Sequence, residues 1–273
     1  MVRRLAAGHI CFVWLPAWCT RKFGRRSPSA CVKFYVVCNE SIRGILEESS
    51  LDANFTIPDT VTDGANFMRS FYELTTLSCP ILSVPEVSVG ALAFVNDDGA
   101  AGELLGCWRT EIGQLGRLLL LRGFETAEEL AAERRRALLS VDPFHAGGVV
   151  TALSMDSYAP FHFLPPVQPR PMGGIYEFRT YYLKPGGLPP TLAGWKKAIE
   201  PAREYTSHLV INMYGLDGPP RITHIWGFES LEQRAALRAK YYAAGLWPPP
   251  GGPEQIVEAT STIALSEDSS PLR

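Results

Sequence analysis

Two segments of this 273-residue chain recur, both displaced by the same distance. Phe71-Tyr72-Glu73-Leu74-Thr75-Thr76 returns as Ile175-Tyr176-Glu177-Phe178-Arg179-Thr180. Arg117 to Thr126, ending Gly123-Phe124-Glu125-Thr126, returns as Arg221 to Ser230, ending Gly227-Phe228-Glu229-Ser230. The offset is 104 in each case (175 − 71 and 221 − 117). Two anchors with one offset and no gap between them indicate a tandem duplication. Duplication constrains the fold more than any single motif does, because each copy must form the same unit and the two must pack together.

The second copy can be read element by element. β-branched and aromatic residues alternate with polar ones over 175–183, predicting a strand that Lys184-Pro185-Gly186-Gly187 turns. A helix follows from about Thr191 through Trp195, Ala198 and Ile199 to near Tyr205, then strands over 209–215 and 220–226 as a hairpin. A second helix opens with a capping box in both copies, Thr126-x-x-Glu129 and Ser230-x-x-Gln233, in which the Glu or Gln is expected to return to the cap's own N–H. A last strand spans about 256–265. In the first copy Ser83–Gly99 contains Pro85, Gly90 and a Val/Ser run that favours strand over helix. The order βαββαβ is ferredoxin-like, giving an α+β chain of two tandem repeats. Each four-stranded sheet has helices on one face and needs cover on the other, so the copies are expected to close sheet to sheet as an intrachain pseudo-dimer. The expected organisation is an N-terminal extension over 1–67, a first and degenerate repeat over 68–159, a stiff Pro-rich linker over 160–172 and a second repeat over 173–268.

Charge and cysteine set the extension apart. Residues 1–39 carry seven basic groups and no acid before Glu40, leaving 26 − 7 = 19 Lys+Arg against 28 Asp+Glu in the rest. A body at −9 makes a poor polyanion binder, so nucleic acid is not expected as a partner. Four of the six cysteines lie in the first 38 residues, and the isolated Cys79 and Cys107 fit a reducing, cytoplasmic setting. The extension reads as a secretory-like start without a cleavage site, as a mitochondrial presequence, or as no structural element at all. No apolar run reaches the roughly 20 residues that span a bilayer.

Tyr176-Glu-Phe-Arg-Thr-Tyr-Tyr-Leu-Lys-Pro-Gly186 and Thr223-His-Ile-Trp-Gly-Phe-Glu-Ser-Leu-Glu-Gln-Arg234 resemble the two motifs of the NIPSNAP family. The likeness covers about 68–272 and is strong in the second copy and weak in the first, where Thr75, Leu120 and Arg122 replace the motif Arg, His and Trp. It implies a dimeric α+β barrel fold. It implies a binding or interaction module more than a defined activity, since animal relatives are linked to mitochondria and to protein interactions. Barrel relatives outside the family include cofactor-independent monooxygenases.

Strand alternation then sorts the candidate site. His224 and Trp226 share one face of their strand, and Glu177 and Arg179 share one face of theirs. If all four point into the barrel they form a pocket with a base, a cation and an aromatic wall, to which Tyr214 adds a phenol. Under the enzymatic alternative, a monooxygenase- or isomerase-like reaction on a small hydrophobic substrate, His224 is the catalytic base; Glu177, Arg179, Tyr214 and Trp226 bind the ligand. The plainer alternatives are a core histidine bonded to a strand neighbour, a packed tryptophan and an internal ion pair. A cavity of several hundred cubic ångströms lined by His224 and Glu177 favours the ligand, and a filled interior favours the interaction module. Glu133-Arg-Arg-Arg136 reads as a solvated helix face. The absence of nucleotide, hydrolase and metal motifs predicts no cofactor and no metal. Expected partners are other proteins or a small hydrophobic molecule, with a homo-oligomer open.

Overall fold

The computed structural model describes residues 69–273; the expectations placed on residues 1–67 lie outside the described residues. The chain runs through two similar rounds. The first is β1 (Phe71–Ser78), α1 (Val84–Val95), β2 (Glu103–Ile112), β3 (Arg117–Phe124), α2 (Ala127–Leu139) and β4 (Ala152–Pro160). The second is β5 (Ile175–Leu183), α3 (Leu188–Ala198), the short α4 (Arg203–Thr206), β6 (Leu209–Gly215), β7 (Arg221–Phe228), α5 (Leu231–Ala243) and β8 (Ile256–Ser266). The strands close into one antiparallel barrel in the order β1-β3-β2-β8-β5-β7-β6-β4. Each round supplies a ferredoxin-like sheet, and the sheets join where β2 pairs with β8 and β4 with β6. Closure satisfies the N–H and C=O groups that two open sheets would leave at four edges.

Three apolar clusters fill the structure. Tyr72, Leu74, Trp108, Leu121, Tyr176 and Phe178 are among the residues packed inside the barrel. Outside it, α1 and α2 cover Leu77, Cys107, Leu118 and Leu120. On the other side Trp195, Tyr205, Ile222, Trp226 and Trp247 lie between the second sheet and its helices. All eight residues of β7 are buried, because one face meets the interior and the other meets helices.

Residues 84–95 form a helix, not the strand expected from their Val/Ser content. Val84, Val87, Ala91, Phe94 and Val95 fall on one face and are buried there, a period of 3.6 that outweighs weak intrinsic preference. Pro85 sits in the first turn, where no intrahelical N–H bond is lost. Gly90 lies so close to the turn after α2 that a Cβ would meet the His145 carbonyl oxygen at 2.5 Å. Both supposed helix breakers are therefore compatible with this helix.

The capping boxes form, with one difference. Thr126 Oγ1 accepts from the Glu129 N–H at 3.1 Å and Ser230 Oγ from the Gln233 N–H at 3.2 Å. The returning side chains accept from Glu125 N–H (3.1 Å) and Glu229 N–H (2.9 Å), one residue before the cap. The Pro-rich segment after β4 also packs: Val167 is buried in the barrel cluster, and its N–H reaches the Tyr72 hydroxyl at 3.4 Å.

Glu133-Arg-Arg-Arg136 is not a solvated face. Glu133 is 2% exposed and accepts from Arg122 Nη1 at 2.5 Å and Arg136 Nη2 at 2.7 Å. Arg122 also reaches Glu73 at 2.6 Å. The motif tryptophan is replaced here by an arginine that sits between two carboxylates.

Candidate functional site

None of the sequence-selected residues lines the barrel interior. On β5, Tyr176 and Phe178 point inward, so Glu177 and Arg179 face the helices; on β7, Ile225 points inward, so His224 and Trp226 do likewise. The corrected location is the layer between the second sheet and α3, α4 and α5. Alternation gave the correct partition of residues. It could not say which face was the barrel's, since both are buried.

Register then brings together three polar side chains. Arg179 pairs with His224 across β5 and β7, and His224 pairs with Asn212 across β7 and β6. The three form one row across adjacent strands beneath the helices. Arg179 Nη2, His224 Nε2, both amide atoms of Asn212 and the Tyr205 hydroxyl, which comes from α4, are buried without a hydrogen-bond partner among the described residues. Such groups are rare in folded proteins because each costs about 1–3 kcal/mol of desolvation. Here five atoms concentrate in one layer.

The state of His224 follows from its one partner. Trp226 Nε1 lies 2.6 Å from His224 Nδ1. An indole N–H can only donate, so Nδ1 holds a lone pair and the proton of the neutral ring sits on Nε2. Complete burial, followed by the nearby Arg179 charge, pushes the imidazole pKa well below its usual 6.5. His224 is therefore a neutral donor through Nε2–H. Acting as a base at Nε2 would require moving the proton and giving up the Trp226 bond.

Arg179 and Glu177 form the expected internal ion pair, at 2.8 Å. Two further groups complete the Glu177 site: Arg234 Nε at 2.8 Å and the Ser261 hydroxyl at 2.8 Å. Burial alone would raise the Glu177 pKa, but the Arg234 and Arg179 contacts outweigh it and hold the carboxyl at about 2.

His224 also lines a cleft of about 210 Å³ whose walls are Tyr181, Trp195, Ile222, Tyr242 and the Trp247–Pro249 segment. Gly194 of α3 brings that helix against the segment; a Cβ there would meet the Pro250 carbonyl oxygen at 2.2 Å. Thr191 reaches the cleft but donates its hydroxyl hydrogen to the Gly187 carbonyl at 2.8 Å. Trp226 stacks on Tyr205 at 4.6 Å and is core packing as well as the partner of His224. Tyr214 is half-buried near the C-terminal end of β6, its backbone opposite Ile222 and Ala159, and is not among the cleft residues.

The first half carries the same row with less polarity, its one hydroxyl, on Thr75, donating to Glu73 at 2.7 Å. Thr75 pairs with Leu120, and Leu120 with Cys107. Asn212 is the residue that sequence comparison missed. A gapless offset of 104 matches it to Trp108, which faces the interior. The two halves are not gapless: Cys107 and Leu120 are 120 − 107 = 13 positions apart, whereas Asn212 and His224 are 224 − 212 = 12. A compensating one-residue difference earlier in the repeat restores the common offset at β3 and β7.

An eight-stranded, intrachain α+β barrel with helices outside defines the class. The same architecture occurs in a candidate monooxygenase from Lactobacillus acidophilus (TM-score 0.53, 10% identity, 72% of this chain and 94% of that one). It also occurs in one from Fusobacterium nucleatum (TM-score 0.50, 9% identity, 72% and 91%). Identities this low show a shared fold and nothing further. Within the class, residues 176–271 match the NIPSNAP family model. A NIPSNAP family protein of unknown function from Agrobacterium tumefaciens is 33% identical over 36% of this chain and 93% of its own length, with a TM-score of 0.33. This chain belongs to the NIPSNAP family. A comparison with the curated proteins finds no match.

Proposed function

We propose that the second half of the barrel is a small-molecule binding module. Its ligand is a flat, apolar, single-ring compound carrying one hydrogen-bond acceptor. The observation that carries this reading is the asymmetry of the transverse row: Arg179–His224–Asn212 with unpaired buried atoms in one half, Thr75–Leu120–Cys107 in the other. The fold does not require a histidine or an asparagine at these positions, since the first half has Leu120 and Cys107 there. Retaining them at an energetic penalty is consistent with a site that is completed from outside. The cleft supplies aromatic and proline walls, His224 is among the residues that line it, and the Nε2–H is the unpaired donor of that buried ring. At about 210 Å³ it lies below the roughly 300–1,000 Å³ of drug-sized sites, which favours a single ring. Arg179 and Asn212 flank His224 in the same row. Catalysis by His224 as a base has no support in its protonation state, so binding is the better reading.

The test compares the full chain with His224→Leu, which copies the first repeat. Benzamide and acetophenone are the acceptor-bearing probes and ethylbenzene is the control, with affinity read by NMR titration. The expected result is binding of the first two, loss of at least tenfold in the variant and little change for ethylbenzene. Equal affinity in the variant, or no binding by either acceptor probe, would overturn the proposal.

A further inference from the structure

The interior of the barrel is filled at one end and open at the other. Towards the closed end lie Trp108, Tyr176, Val167 and Leu272. At the open end is a cavity of about 560 Å³, floored by Leu74, Leu119 and Phe178. It lies on the opposite face of the sheet from His224 and Glu177, neither of which lines it. Above the apolar floor the inward-facing side chains are hydroxyls, among them Thr76, Thr180, Thr260 and Thr262, together with two arginines.

The arginines, Arg117 on β3 and Arg221 on β7, are repeat counterparts (221 − 117 = 104), and both face this one space. Their surroundings differ. Arg221 is neutralised twice, by Asp156 at 3.1 Å and Asp217 at 2.7 Å, and its Nε donates to the Tyr158 hydroxyl at 3.2 Å. Arg117 has no ion pair among the described residues. Its Nη2 donates to the Gln114 amide oxygen, and its Nε is buried without a partner among the described residues. Register explains the difference. Asp156 is held opposite Leu74 on β1; the counterpart of Leu74 is Phe178, and Phe178 is opposite Thr262. Thr262 therefore stands where a carboxylate would. Asp217 belongs to the hairpin between β6 and β7, and the corresponding hairpin, residues 113–116, reads Gly-Gln-Leu-Gly and contains no acid. Asp156 is the one carboxylate among the cavity's lining residues, and it is already bound to Arg221.

We infer that the open end of the barrel is a second binding site, for a small polyol that carries an oxyanion. The Arg117 guanidinium would take the phosphate or carboxylate in place of the missing carboxylate. The threonine hydroxyls, which can donate and accept, would meet the ligand's hydroxyls. A volume of about 560 Å³ lies within the roughly 300–1,000 Å³ of known small-ligand sites. This site is independent of the His224 cleft in location and in ligand chemistry.

The experiment titrates the full chain by calorimetry with glycerol 3-phosphate, glycerate, inorganic phosphate and glycerol. Both oxyanion-bearing polyols are expected to bind, inorganic phosphate more weakly and glycerol hardly at all. If glycerate alone or glycerol 3-phosphate alone binds, the oxyanion is identified as a carboxylate or a phosphate. Arg117→Gln should weaken binding roughly tenfold or more, the scale of one charge-assisted hydrogen-bond set. Thr262→Asp, which restores the arrangement around Arg221 and keeps Arg117 paired, should do the same in a folded protein. His224→Leu should leave these affinities unchanged, so the failure of either site is read separately. The inference is overturned if neither polyol binds at millimolar concentration, or if both cavity variants bind as tightly as the unaltered chain.

Discussion

At the scale of single residues, the second half carries buried polarity that its packing does not need. Asn212 is 0% exposed, and neither amide atom has a partner among the described residues. Asn212→Leu should therefore raise stability by about 1–3 kcal/mol, the desolvation penalty of unpaired polar groups, which chemical denaturation would show. A loss of stability of that size would mean that the amide is satisfied in solution. His224 has a pH signature. Its folded pKa lies well below the unfolded value of about 6.5, so below pH 6.5 the unfolded chain binds a proton that the native chain refuses. Its contribution is fully present above about pH 6.5 and is lost as pH falls. Thermal unfolding at pH 7.5 and 5 should show a drop that is smaller in His224→Leu; equal drops would contradict a neutral buried ring. Glu177, Arg179, His224 and Trp226 were legible in the sequence because motif and alternation both marked them. Their facing was not, since β7 is buried on both sides and carries no polar face to orient it. Asn212 stayed hidden because the repeat conceals a one-residue shift.

At the scale of elements, each sheet is tied to its helices by a buried carboxylate, with different partners in the two halves. In the first, Glu73 and Glu133 share Arg122. In the second, Glu177 sits among Arg179, Arg234 and Ser261, linking β5 to α5 and β8. With its pKa held at about 2 against about 4.3 unfolded, Glu177 stabilises above pH 4.3 and loses that contribution as pH falls towards 2. Glu177→Gln should cost about 3–5 kcal/mol at pH 7, because it leaves buried arginine charge uncompensated, and it should flatten the acid limb of the stability profile. A neutral outcome at pH 7 would show that the arginines are paired elsewhere. The α3 contact offers a second test. Gly194→Ala must displace the Pro250 backbone, so it should reshape the aromatic cleft and weaken benzamide binding while the barrel-mouth ligands bind as before. Unchanged benzamide affinity would remove the 247–253 wall from the site. The α1 helix was misread from composition because its Pro and Gly act through position, in the first turn and under the 143–146 turn, which a single sequence does not display.

At the scale of the whole molecule, the duplication was legible because the central strand pair of each sheet, β1 with β3 and β5 with β7, kept its side-chain pattern. The ring closure follows from it: two four-stranded sheets, each covered by helices on one face, bury the other face against one another and pair their edges. Residues 69–165 alone would expose Trp108, Leu121 and Tyr72, and the edges of β2 and β4 would lose their partners. Expressed separately, that half should self-associate, as light scattering would report; a well-dispersed monomer would contradict mutual closure. What the sequence could not convey is that the barrel has two different insides, one between sheet and helices and one along its axis. Side-chain alternation alone does not distinguish them.

If His224 is a neutral donor held for an outside acceptor, long-range proton–nitrogen NMR on the full chain labelled at histidine reports it, with His224→Leu assigning the resonance. The expected result is an Nε2–H tautomer that does not titrate between pH 5.5 and 8, with an Nε2 resonance that shifts on adding benzamide. An Nδ1–H tautomer, a titration near pH 6.5, or an Nε2 signal indifferent to the ligand would contradict it.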